Sequence, residues 1–178
     1  GALQQRVGLP YAPEDVCMTN GAAGALQIAL TTLIDQGDEV IINLPPWFFY
    51  EAYIAACGGV TVKVNVKPDD FDLDIDAIRG AITPRTRAVI VNSPNNPTGR
   101  IYGAETLTAL AGVLEEASAR HGRPIYLISD EAYSRILFDG NQFVSPTGFY
   151  PYSLLVYTYG KTLVTPGQRL GYLAIAPD

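Results

Sequence analysis

The stretch "RAVIVNSPNNPTG", residues 87–99, joins a run of valine and isoleucine to an Asn-Asn-Pro-Thr-Gly turn with no polar residue inside the run. Strands that alternate in polarity face water on one side, whereas a continuous apolar run is buried on both faces, as in a parallel sheet covered by helices. The same design recurs along the chain. "EVIIN" (39–43), "IYLIS" (125–129), "LLVYT" (154–158) and "LGYLAIA" (170–176) are further continuous runs, "VTVKVNV" (60–66) alternates, and "VCMT" (16–19) is strand-like.

Helical spacing separates these runs. Ala25, Leu26, Ala29, Leu30 and Leu33 predict a helix over 22–34 that Gly37 stops, and Leu107, Leu110, Ala111 and Leu114 predict one over 104–121 closed by Gly122. "WFFYEAYIAAC" (47–57) has a helical pattern, and "LDIDAIRGAI" (73–82) gives a shorter amphipathic turn or two. Strands alternating with helices specify the α/β class: a three-layer sandwich with a mostly parallel sheet flanked by helices.

Composition bounds the function. The 178 residues are 48% hydrophobic and 17% charged, enough to bury one substantial core. A formal charge of -6 with no basic stripe argues against nucleic acid as the main partner. The apolar runs are too short and punctuated to cross a bilayer or to form a signal sequence, so a reducing, cytoplasmic setting is the default. A single histidine, His121, and two cysteines without C-x-x-C spacing leave no metal-ligand cluster. Cys17 and Cys57 read as buried small hydrophobes rather than a disulfide. The first and last residues give the chain the look of a part of something longer.

In doubly wound sheets ligands lie outside the carboxyl ends of the strands. Those positions hold "TNGAAGAL" (19–26), "LPPWFFY" (44–50), "NSPNNPTG" (92–99), "SDEAY" (129–133) and "YGKT" (159–162). Lys161 is an isolated amine at the end of a buried strand, with Arg169 eight residues on. Asp130 follows an apolar strand, where an unpaired carboxylate is costly. A helix N-cap is the alternative for Asp130, turn chemistry for Asn96, and close helix packing for the glycines of "GAAGAL".

These motifs, in this order and with the Lys-x7-Arg spacing, resemble the class I/II aminotransferases, pyridoxal-phosphate enzymes of fold type I. The match in order and spacing runs from about Val16 to the last residue. The resemblance implies that pyridoxal 5'-phosphate is the cofactor and that Lys161 forms a Schiff base with its aldehyde and shuttles the α-proton, a role that requires a neutral amine. It implies that Asp130 pairs with the protonated pyridine nitrogen and that Asn96 and Tyr133 hydrogen-bond the phenolic oxygen. Trp47 would stack on the ring, with a place in the core as its alternative. The amides of Ala22, Ala23 and Gly24, with Thr158 and Arg169, would hold the phosphate at a helix start. A serine or threonine is common in the family at the position of Ala23, so the amides and Arg169 would have to do more here.

The resemblance further implies an amino-acid and a 2-oxo-acid substrate and a homodimer. Residues 1–178 would form the large cofactor-binding domain without the small domain that the family builds from both chain ends. Carbon-sulfur lyases and amino-acid oxidases share the same constellation. A nucleotide-binding domain built on "TNGAAGAL" is a rival without a G-x-G-x-x-G or P-loop motif to support it. A catalytically silent homologue is another, weakened by the retained Lys161.

Overall fold

The computed structural model describes residues 1–177, so Asp178, the last residue of the expected domain, lies outside the described residues. Seven strands form one sheet in the order β1-β7-β6-β5-β4-β2-β3. They are β1 (Val16–Thr19), β2 (Glu39–Leu44), β3 (Val60–Asn65), β4 (Thr86–Asn92), β5 (Tyr126–Asp130), β6 (Ser153–Thr158) and β7 (Gly171–Ile175). The pairs from β3 through β6 are parallel, while β7 is antiparallel to both β6 and β1 and so runs against all the others.

Helices cover both faces. On one, α2 (Gly21–Leu33) and α3 (Tyr50–Ala56) pack Ala25, Leu26, Leu30 and Ile54 against Val40, Ile42, Ile90 and Val156. On the other, α4 (Ile75–Ala81) and α5 (Ala104–His121) pack Ile78, Leu107, Leu110 and Leu114 against Ile41, Val89 and Leu127. Successive residues of β4 thus serve opposite cores, which is why its sequence shows no polar alternation. The short α1 (Ala2–Val7) lies beside Leu155, Tyr157 and Tyr172.

The α5 boundaries match the sequence periodicity, and Gly122 closes that helix in the left-handed region at φ 67°. Both thiols are free, as read from the sequence, but their expected burial is corrected: Cys17 is exposed and Cys57 half-buried. Cys17 lies on the edge strand β1, whose middle residues face outward, and Cys57 caps α3. Among the described residues no helix is long and apolar enough to cross a membrane.

One close approach locks the edge of the sheet to a helix start. A side chain on Gly171 would meet the Gly21 Cα at 2.7 Å, backbone against backbone. Gly21 itself has φ +71°, and a Cβ there would lie 3.0 Å from Arg169 Nη2. Gly171→Ala is therefore expected to cost about 1–3 kcal/mol or more, because neither chain can yield by a rotamer change. Gly112→Ala, at an exposed position of α5 with nothing within 4 Å, is expected to stabilise by about 0.5–1 kcal/mol. Urea unfolding of the two variants checks both signs.

Candidate active site

A cavity of about 380 Å³ opens at the carboxyl ends of the parallel strands. Nine of the ten candidate residues line it: Ala22, Ala23, Trp47, Asn96, Asp130, Tyr133, Thr158, Lys161 and Arg169. Gly24 does not. It lines an adjoining open groove, and a Cβ there would meet Asn20 and Thr19 at 3.4 and 3.7 Å, an ordinary contact.

Asp130 is the last residue of β5 rather than the first beyond it, in register with Asn92 on β4 and Val156 on β6. Its side chain is 5% exposed. Oδ2 accepts from the Tyr50 hydroxyl at 2.6 Å and Oδ1 from the Ala132 amide at 3.2 Å. Among the described residues it has no cation within ion-pair distance. Burial pushes its carboxyl up, against the Tyr50 hydroxyl, the Ala132 amide and the Lys161 charge, which pull it down. Tyr50 is fully inside, and burial next to this carboxylate drives its own hydroxyl far up, so it stays a donor.

Asn92 fastens the edge of the sheet. Its Nδ2 donates to the Asp130 carbonyl at 3.0 Å, and its Oδ1 accepts from the Asn96 amide at 2.7 Å. Asn96 Nδ2 in turn reaches the Tyr133 hydroxyl at 3.5 Å. Trp47 does two jobs at once: it lines the cavity and packs edge-on to Tyr50, with ring centroids 5.4 Å apart.

Lys161 stands on the four-residue α6 (Tyr159–Thr162), exposed at the cavity, with Nζ 5.5 Å from the Tyr133 ring centroid. Thr158 caps that turn, its Oγ1 accepting from the Gly160 amide at 3.3 Å and donating to the Leu170 carbonyl at 3.3 Å. A Cβ on Gly160 would press on Pro166 Cα at 3.3 Å, so the glycine makes room for the returning loop. That loop turns through Arg169, in the left-handed region at φ 49°, a conformation that costs a non-glycine residue of order 1 kcal/mol. The turn lays the guanidinium over Gly21, where Nη2 donates to the Asn20 carbonyl and Nη1 to the Pro166 carbonyl, both at 3.3 Å.

The N-terminus of α2 carries no side-chain cap, which leaves its first amides unpartnered by a side chain, and its residues Ala22 and Ala23 line the same cavity as Arg169. The arrangement could hold an anion at that end, a cationic ring atom against Asp130 and an electrophilic carbon at Lys161. The sequence reading missed Tyr50 and Asn92; the only signal for Tyr50 was its position three residues after Trp47 in an aromatic run.

Burial of Asp130 has a measurable sign. With its folded value raised above the ordinary ~3.9, the native state holds more proton than the unfolded chain in the window above that value. Stability is therefore lost as pH rises through the window. In the unliganded protein Asp130→Asn should raise the melting temperature by a few degrees at pH 7–8, with the gain shrinking as pH falls toward ~4. Thermal unfolding across that range checks it.

Comparison with known proteins agrees with the motifs. The family model for aminotransferase class I and II matches residues 2–178. An aspartate/prephenate aminotransferase of Thermus thermophilus is 41% identical over 167 residues, 93% of this chain and 42% of that protein. An aspartate aminotransferase of Geobacillus stearothermophilus is 38% identical, covering 96% of this chain and 43% of that one. Among solved structures, an amino transferase from Eubacterium rectale superposes with a TM-score of 0.95 at 38% identity, over 99% of this chain and 44% of that one. The Thermus thermophilus aspartate aminotransferase with maleate superposes at 0.87, also at 38% identity, over 97% of this chain and 44% of that one. The chain thus spans less than half the length of the curated relatives it matches. Over that span, fold, motif order and sequence agree: the chain belongs to the class I and II aminotransferase family.

Proposed function

We propose that residues 1–178 form the large, cofactor-binding domain of a pyridoxal-phosphate enzyme that moves an amino group between an amino acid and a 2-oxo acid. The observation that carries this reading is Asp130: a carboxylate buried with no ion-pair partner among the described residues, at the floor of a cavity that also presents an amine and a guanidinium. Such a carboxylate suits a cationic ring nitrogen, since an isolated buried charge is otherwise costly.

The donor set fits pyridoxal 5'-phosphate. When bound, the cofactor supplies an electron sink for the carbanion left as an α-proton departs. Asp130, held by Tyr50 and the Ala132 amide, would keep the ring nitrogen protonated. Asn96 and Tyr133 would hold the phenolic oxygen, and Trp47 would cover the ring face. The Ala22 and Ala23 amides with Arg169 would take the phosphate, with the Thr158 hydroxyl beside them. Lys161 Nζ, the amine at the cavity, would accept the substrate α-proton and hold it for return.

A second copy of this chain is the proposed partner. Met18 (58% exposed), Ile28 (42%) and Leu170 (45%) line the open groove that Arg169 shares with the cavity, so a copy seated there would reach the site. The free thiols, with Cys17 exposed, support a reducing, cytoplasmic setting.

The test is acceptor-dependent amino transfer by the intact protein, with aspartate tried first because the relatives are named for it. Product 2-oxo acid should form only with an acceptor, and Lys161→Ala should lower the rate by about 100- to 10,000-fold. Oxo-acid formation that needs dioxygen and no acceptor would refute transamination. Sedimentation equilibrium should give a dimer that Met18→Glu weakens.

A further inference from the structure

The far side of the turn that follows β5 holds a second buried charge that the proposed chemistry leaves unused. Glu131 is 0% exposed. Its carboxylate accepts from Arg6 Nη1 at 2.6 Å, from Ser129 Oγ at 3.2 Å and from Ser145 Oγ. The same guanidinium donates to Ser134 Oγ and, through Nη2, to the Tyr172 hydroxyl, both at 2.9 Å. Its Cζ also lies 5.3 Å from the Tyr157 ring centroid, and the Tyr157 hydroxyl shares a 2.8 Å hydrogen bond with Thr162, the neighbour of Lys161.

Two interleaved pairs therefore occupy one short turn. Asp130 and Tyr133 line the cavity, whereas Glu131 and Ser134 face Arg6. Arg6 arrives on α1, a helix of six residues with none of its own buried, so the contact spans 125 positions of sequence. A buried ion pair stabilises little relative to apolar side chains of the same shape, because desolvating both charges offsets their attraction. What a planar fork adds is direction: its N–H bonds fix the spacing of the groups that receive them.

We propose that Arg6 is a positioning residue for the cofactor-facing wall, its guanidinium holding Glu131, Ser134 and Tyr172 so that Asp130 and Tyr133 keep their place in the cavity. This rests on the cavity being the pyridoxal-phosphate site. Without the fork, the turn is released on the side away from the ligand, and both Asp130 and Tyr133 lose their fixed distance to it. A displacement well under 1 Å is enough to matter for groups of this kind.

The experiment uses Arg6→Gln in the intact protein, with Arg85→Gln as control. Arg85 pairs with buried Glu39 at the opposite, amino end of the sheet, so it tests loss of an ion pair without touching the cavity. Two quantities are read well below both melting temperatures: the dissociation constant for pyridoxal 5'-phosphate and the pH midpoint of the bound cofactor's absorbance. Arg6→Gln should weaken binding roughly tenfold and move the midpoint, while Arg85→Gln should lower the melting temperature and change neither. Ser134→Ala, which removes a single bond of the fork, should shift both readouts in the same direction by less, and it serves if Arg6→Gln does not fold. Unchanged binding and midpoint in the folded Arg6 or Ser134 variants, or equal shifts in the Arg85 control, would overturn the proposal. Failure of the wild-type protein to bind the cofactor would instead overturn the reading of the cavity.

Discussion

The parallel register of three strands is the constraint on which the site depends. Asn92, Asp130 and Val156 stand side by side on β4, β5 and β6, so β4 and β5 end at one level while β6 runs on two residues to Thr158. Asn92 locks the level by donating to the Asp130 carbonyl and accepting from the Asn96 amide. With the backbone fixed there, the Asp130 side chain has one direction left, toward Tyr50 and the cavity. A slip of one residue would turn it into the opposite core, because successive residues of a strand face opposite sides. The segment from Thr158 to Arg169 hangs from the neighbouring strand end and inherits the same reference.

Two adjacent carboxylates at that edge are buried with opposite provisions. Glu131 has Arg6 at 2.6 Å and two serine hydroxyls; Asp130 has a tyrosine, one amide and no paired cation among the described residues. Burial raises both carboxyls, and for Glu131 the Arg6 charge is the largest opposing influence. The contrast separates a carboxylate whose charge is satisfied within the chain from one that leaves room for a ligand. On the same edge, Arg169 adopts a left-handed backbone conformation to lie over Gly21, and Gly171 has no side chain, which lets β7 come that close. The molecule thus accepts local cost where groups converge on the cavity.

Much of this was legible in the sequence because it rests on local signals. Continuous valine and isoleucine runs marked the buried strands to within a residue or two, and the 3.6-residue spacing with Gly122 marked α5 at both ends. The polar clusters after the strands contained eleven of the residues that line the cavity, with Thr158, Pro166 and Arg169 outside them. What stayed hidden depends on contacts distant in sequence. Tyr50 meets Asp130 across 80 positions, and Gly171 earns its place only against Gly21. α1 has too few residues and no buried face to show a period. Cys17 looked like core because strand composition does not distinguish an edge from a centre.

The central claim is that Lys161 is the amine that reacts at this cavity. The most direct measurement is reduction of the protein with borohydride in the presence of pyridoxal 5'-phosphate, followed by peptide mapping. The cofactor should be fixed covalently to Lys161, in a single peptide, and Lys161→Ala should leave none bound. Label on Lys63 or Lys67, or no label at all, would contradict the claim.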